Sequence, residues 1–261
     1  MRPLPRRLRH GEEATLVEHL EELRSRLFIV LIVVALALVV TYVFHGTILH
    51  WLNRPLPDSL RKPVTFSPIE PFATSIWVSL WAALLIALPF VFWQAWAFFA
   101  PALDEGHQRS MAVLTAFSAA LAVGGVAFGY WIVLPPAIHF LTNYDSSHYT
   151  ILIRARDYYR FAAIVLLAVA FAFEVPVFVL GLVRLRILSA ARLRRTWRIG
   201  IFVMVVIGVA LPGVDPVSTI LSVIPLVGLY LLSIALASVL EPRWQSDANT
   251  APGSPADAPP A

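Results

Sequence analysis

The sequence predicts an all-α, polytopic integral membrane protein with six transmembrane helices, the last two short and both termini cytoplasmic. Three observations predict it. Of the 261 residues, 59% are hydrophobic and only 14% charged, which is more apolar surface than one soluble core can hide. The charges are clustered and leave several stretches of about 18–25 residues nearly free of ionisable side chains, long enough to cross about 30 Å of hydrocarbon as helices. The arginines flank those stretches in a topological pattern, so the pI of about 9.8 does not point to nucleic acid.

The N-terminal segment, 1–26, is expected to carry an interfacial amphipathic helix. The membrane domain, 27–240, then divides into spans at about 27–48, 73–99, 111–135, 160–183, 199–212 and 218–240. The first follows arginines as a signal peptide does, yet it exceeds a typical h-region and no small-residue cleavage site comes after it, so it is expected to remain in the mature chain. The fifth, at about 14 residues, rises only about 21 Å and needs a thinned bilayer or sheltered ends. The tail, 241–261, ends in SDANTAPGSPADAPPA and is expected to be disordered, because it offers no periodic apolar face to bury.

Orientation follows from arginine. Arg2, Arg6, Arg7, Arg9, Arg24 and Arg26 precede the first span, and Arg184, Arg186, Arg192, Arg194, Arg195 and Arg198 follow the fourth with no acid among them. An even number of spans puts both groups on one side, and the positive-inside rule makes that side cytoplasmic. The outer loops are then 49–72, 136–159 and a very short one near Gly213 to Pro216. The first, rich in proline, is stiff and cannot continue a helix, so an ordered cap is expected there.

Enzyme signatures such as HExxH, GxxxxGK[ST] and GxSxG are absent from the sequence, and no catalytic role is expected. The chain has no cysteine and its seven histidines are scattered along its length; neither a metal site nor a cofactor is expected. GGVAFGY, 124–130, lies inside a span with no strand before it, so its small residues are read as a close helix-packing surface.

Polar residues at membrane depth carry more information. Glu174, in FAFEVPVF, sits near the middle of the fourth span, where a carboxylate is costly and faces a cavity or a partner helix. Pro176 follows it and frees a backbone carbonyl nearby. Asp215 stands before the sixth span, where it either caps that helix or serves function. HLEELRSRL, 19–27, brings carboxylates and arginines to the start of the first span; Glu22 and Arg26 are spaced as an ion pair on an interfacial helix, and such a pair contributes only about 0.2–0.5 kcal/mol in water.

Taken together, HLEELRSRL, FSPIEPF, PFVFWQAWAFFAPAL, FGYWIVLPPAIHFL, FEVP and GVDPVS resemble, in order and from about residue 16 to about 240, the TatC family, the polytopic receptor subunit of the twin-arginine protein translocase. The resemblance implies a receptor in the cell inner membrane that binds twin-arginine signal peptides of folded cargo. It implies partners of the TatA and TatB type, single-span proteins, together with lipid contact and a homo-oligomer within a larger complex, driven by proton-motive force without nucleic acid or a cofactor. Glu22 occupies the place of the family's signal-binding glutamate, since forked guanidinium donors suit a carboxylate in a partly dehydrated interface. Arg24 and Arg26 are assigned to orientation and headgroup contact. The resemblance further places Glu174, Pro176, Asp215, Phe98 and Pro55 among partner or translocation residues.

The chain also departs from the family pattern. His107 stands at the place of a second signal-binding glutamate, with Asp104 and Glu105 just before it; Glu105, with the longer reach and a flexible Gly106 beside it, is expected to take that role, with His107 as its neighbour in the signal-peptide site. Gly213 and Val214 replace paired prolines, and Leu229, Tyr230 and Leu231 lack a glutamate common in the sixth span. Two other function classes stand beside the resemblance: a secondary transporter or ion carrier using Glu174, and an assembly factor indifferent to neutralisation of Glu22.

Overall fold

A computed structural model describes residues 16–99, 108–184, 187–210 and 216–249. Helix α1 (Leu16–Val43) contains neither glycine nor proline and runs without interruption from the charged segment into the apolar one, so the interfacial helix and the first span are one rod. The turn at Phe44 leads into α2 (His45–Asn53), after which Pro55, Pro57 and Pro63 hold the chain in turns around a short 3₁₀ segment, Asp58–Leu60. Helix α3 (Glu70–Phe99) follows, with Pro89 inside it.

Helix α4 (Gln108–Phe128) passes through a π-helical segment, Gly129–Val133, into α5 (Leu134–Asn143). The third span therefore continues to 143, past the boundary expected at 135. Pro135 and Pro136 fall in the first turn of α5, where a missing N–H costs no hydrogen bond, so they do not end the helix. The fourth span divides into α6 (Ala155–Phe173) and α7 (Val175–Arg184), with Glu174 at the break. Pro176 cannot donate to the carbonyl four residues back, and the Glu174 N–H bonds Phe171 O at 3.1 Å, a tightened turn that closes α6.

Helix α8 (Ala190–Arg195) is capped by Ser189 and leads to α9 (Trp197–Ala210). At 14 residues, α9 is the short span that the sequence predicts. The sixth, α10 (Pro216–Asn249), is not short: it has 34 residues. It overruns the expected start of the disordered tail at 241, because Glu241 is tied down, its Oε2 accepting the Ala190 N–H at 2.7 Å. That bond ties α10 at Glu241 to the start of α8.

Among the described residues, five helical stretches are long and apolar enough to cross a membrane, with Trp197–Val209 a shorter apolar helix. The fourth span is the centre of the bundle, 61% of its apolar window being buried, while the first, at 6%, lies outside and rests mainly on α3. Small residues allow the closest approach. A Cβ on Gly125 would stand 2.8 Å from Ala170 Cα, and one on Gly129 would stand 3.1 Å from Leu166 Cδ2, so GGVAFG is indeed a packing surface between α4 and α6.

Candidate functional site

Polar chemistry gathers at three places. At the N-terminal end of α1, Arg26 forks onto one oxygen of Glu22: Nε lies 3.0 Å and Nη2 2.5 Å from Oε1. The third nitrogen, Nη1, donates to Gln94 Oε1 of α3 at 3.1 Å. Among the described residues, Glu22 Oε2 accepts no hydrogen bond. Both side chains of the pair are about three-quarters covered, at 23% and 24% exposure, so the carboxylate is partly dehydrated yet reachable. Arg24, on another face, lies over the Phe28 ring, 5.7 Å from its centroid. The ion pair expected from the spacing of Glu22 and Arg26 is thus present, and Gln94 ties it to a second span. Arg26 is engaged with that pair and does not simply face the headgroups.

The second place is the broken fourth span. Glu174 is fully buried, and its Oε2 accepts from Ser118 Oγ of α4 at 2.8 Å. Among the described residues its Oε1, equally buried, has no partner. The neighbouring Pro176 is buried as well. A half-satisfied carboxyl between α4, α6 and α7 is expensive in so apolar a place.

The third place is the cap at the opposite end. Tyrosines of the third and fourth spans reach the end of α2, where the last carbonyls have no partner four residues on in the helix. Tyr130 Oη donates to Trp51 O at 2.7 Å, Tyr158 Oη donates to Leu52 O, and Tyr159 Oη donates to Asn53 Oδ1 at 2.9 Å. Pro55 follows directly, half-buried, with Leu56 packed beneath it in the apolar cluster around Tyr158. The two long loops meet here: Val64 N donates to Ile153 O at 2.8 Å, and Ala155 N donates to Val64 O at 2.9 Å. Arg154 closes the arrangement on Glu70, whose other oxygen takes the Phe66 N–H at 3.0 Å. The ordered cap expected from the prolines is therefore real.

The site residues of the sequence reading thus divide. Glu22 lies at the N-terminal end, and Phe98 is half-buried near the C-terminus of α3. Glu174 and Pro176 form the mid-bundle break, and Pro55 belongs to the cap. Glu105, His107 and Asp215 lie outside the described residues. Sequence reasoning missed Gln94 and Ser118, the polar partners of the two carboxylates. Each stands alone in an apolar run, in VFWQAW and in AFSAALAV, and that isolation was the available signal.

The family model described as Sec-independent protein translocase protein (TatC) matches residues 18–225. The Sec-independent protein translocase protein TatC of Helicobacter pylori strain J99 is 30% identical over 231 residues, covering 88% of this chain and 92% of that protein. TatCd of Bacillus subtilis strain 168 is 31% identical over 227 residues, covering 87% and 93%. A crystal structure of the twin-arginine translocase receptor TatC in DDM superposes with a TM-score of 0.73 at 30% identity, covering 84% of this chain and 99% of that one.

Proposed function

The chain belongs to the TatC family of Sec-independent protein translocase proteins, and from that membership we propose how its residues serve a twin-arginine translocase receptor. It is a multi-pass membrane component of the translocase; a solute carrier built on Glu174 is set aside. Both termini face the cytoplasm, the membrane is the cell inner membrane, and the partners are TatA- and TatB-type single-span proteins, assembled with further copies of this chain under proton-motive force. The arginine asymmetry about the spans supports that orientation.

Glu22 is the carboxylate that receives a guanidinium of the twin-arginine signal peptide. One observation carries this assignment: Glu22 already holds a guanidinium in a setting about three-quarters covered, with a second oxygen that accepts nothing among the described residues. Glu105, beside His107, supplies the second acid, because an unmatched arginine would forfeit a charge-assisted hydrogen bond of about 1.5–3 kcal/mol. Glu174, Pro176, Asp215, Phe98 and Pro55 serve partner recruitment and translocation and lie apart from the reading of the signal.

The test is co-purification of the full chain with a twin-arginine precursor and with the same precursor carrying two lysines. Wild-type protein should retain the arginine form preferentially, since ammonium groups cannot reproduce the fork. Glu22→Gln should lose that retention while still inserting in the membrane, and Glu105→Gln should weaken it. Equal retention of both precursors by wild-type and Glu22→Gln chains would sink the assignment.

A further inference from the structure

Arg26 holds the carboxylate that a signal arginine needs. Its Nε and Nη2 both fall on Glu22 Oε1, and Nη1 is bonded to Gln94 Oε1 on α3. A bidentate guanidinium–carboxylate pair uses both carboxylate oxygens, each meeting one N–H of the fork. An incoming arginine can therefore form that pair only if Arg26 gives up Oε1. Arg26 can leave without becoming wholly unpartnered, because its third nitrogen is anchored on a separate helix.

We propose that Arg26 is a resident competitor at the signal-peptide carboxylate, occupying Glu22 between ligands and retained on Gln94 when a signal arginine displaces it. The inference rests on the reading of Glu22 as the signal-binding residue. Its energetic sense is that of a partly populated competent state: apparent affinity is the intrinsic affinity scaled by the fraction of receptors with Glu22 free. The resident pair also spares the carboxylate from standing uncompensated in a partly dehydrated interface when no cargo is bound.

Removing the competitor should tighten binding, whereas removing a mere positioning residue should loosen it. We would measure the affinity of the purified full-length chain in detergent for a fluorescent twin-arginine signal peptide and for its twin-lysine counterpart. For Arg26→Gln, the twin-arginine peptide should bind about two- to fivefold more tightly. Loss of any nearby positive charge would attract every cationic peptide, so Arg24→Gln serves as the charge-matched control: Arg24 is stacked on Phe28 and has no hydrogen bond to Glu22.

The resident-competitor mechanism requires the gain in Arg26→Gln to exceed that in Arg24→Gln, and to be larger for the arginine than for the lysine peptide, which needs only one carboxylate oxygen. Weaker binding in Arg26→Gln, or equal gains in the two variants, overturns it. Glu22→Gln separates the two levels. If it abolishes binding while Arg26→Gln brings no gain, Arg26 is no competitor and the Glu22 reading stands. If Glu22→Gln binds like wild type, that reading fails and the competitor falls with it.

Discussion

Arg154 grips Glu70 across 84 positions of sequence, its Nε 2.7 Å from Oε1 and its Nη2 3.4 Å from Oε2. Since Glu70 also accepts the Phe66 N–H, one carboxylate fixes both the turn into α3 and the loop into α6. Glu70→Gln keeps an acceptor for Phe66 but removes the charge pair, and Glu70→Ala removes both. Melting temperature in detergent should fall in the order wild type, Gln, Ala. Identical melting of wild type and Glu70→Ala would show that the cap does not depend on this residue.

The tyrosine contacts with α2 differ in exposure and so in weight. Tyr158 is buried, and Tyr158→Phe strands the buried Leu52 carbonyl, at a cost of about 1–3 kcal/mol. Tyr130 bonds Trp51 O in a solvent-exposed setting, where water replaces the lost hydroxyl, so Tyr130→Phe should cost less. Chemical denaturation monitored by tryptophan fluorescence would rank them, and a larger loss for Tyr130→Phe would contradict the ranking.

Gly124 and Gly125 are neighbours with opposite tolerances. The nearest atom to a Cβ on Gly124 would be Phe173 Cδ1 at 3.9 Å, an ordinary contact, whereas one on Gly125 would meet the Ala170 backbone at 2.8 Å. Gly125→Ala should therefore lose about 1–3 kcal/mol through forced separation of α4 and α6, and Gly124→Ala should be nearly neutral. Thermal stability of the two variants in the same detergent checks this.

Ser118→Ala would leave both oxygens of Glu174 without a partner among the described residues, and about 1–3 kcal/mol of stability should go with it. Glu174→Ala removes the orphaned group itself. If Glu174 serves partners or translocation, that variant should keep signal-peptide binding and stable expression but lose transport into membrane vesicles. Retained transport with lowered yield would make the residue structural.

Much of the bundle was legible because its signals are local. The apolar runs, the clustered arginines, the prolines of 54–72 and the small residues of GGVAFG each act within a few turns of where they are written. The carboxylates Glu22 and Glu174 were visible as charges in a costly solvent. Their partners were not: Gln94 lies 68 positions from Arg26 and Ser118 lies 56 from Glu174, and nothing local tells which isolated polar side chain faces which. The tyrosines were hidden for the same reason, since 106 positions separate Tyr158 from Leu52. The third span runs beyond 135 because Pro135 and Pro136 occupy the first turn of α5, where proline does not stop a helix.

The π segment at Gly129–Val133 gives single-residue deletions a position-dependent effect along the third span. A wide turn of this kind absorbs one residue beyond what an α-helix would hold. Deleting a residue within it would return the segment to α geometry and leave the faces above and below in their present directions, the remaining strain coming from two prolines meeting a regular turn. A deletion between 119 and 124 has no such slack to consume. It would rotate one half of the span against the other by about 100°, turning the preceding half, with Ser118, away from Glu174 or the following half, with Gly125, away from Ala170.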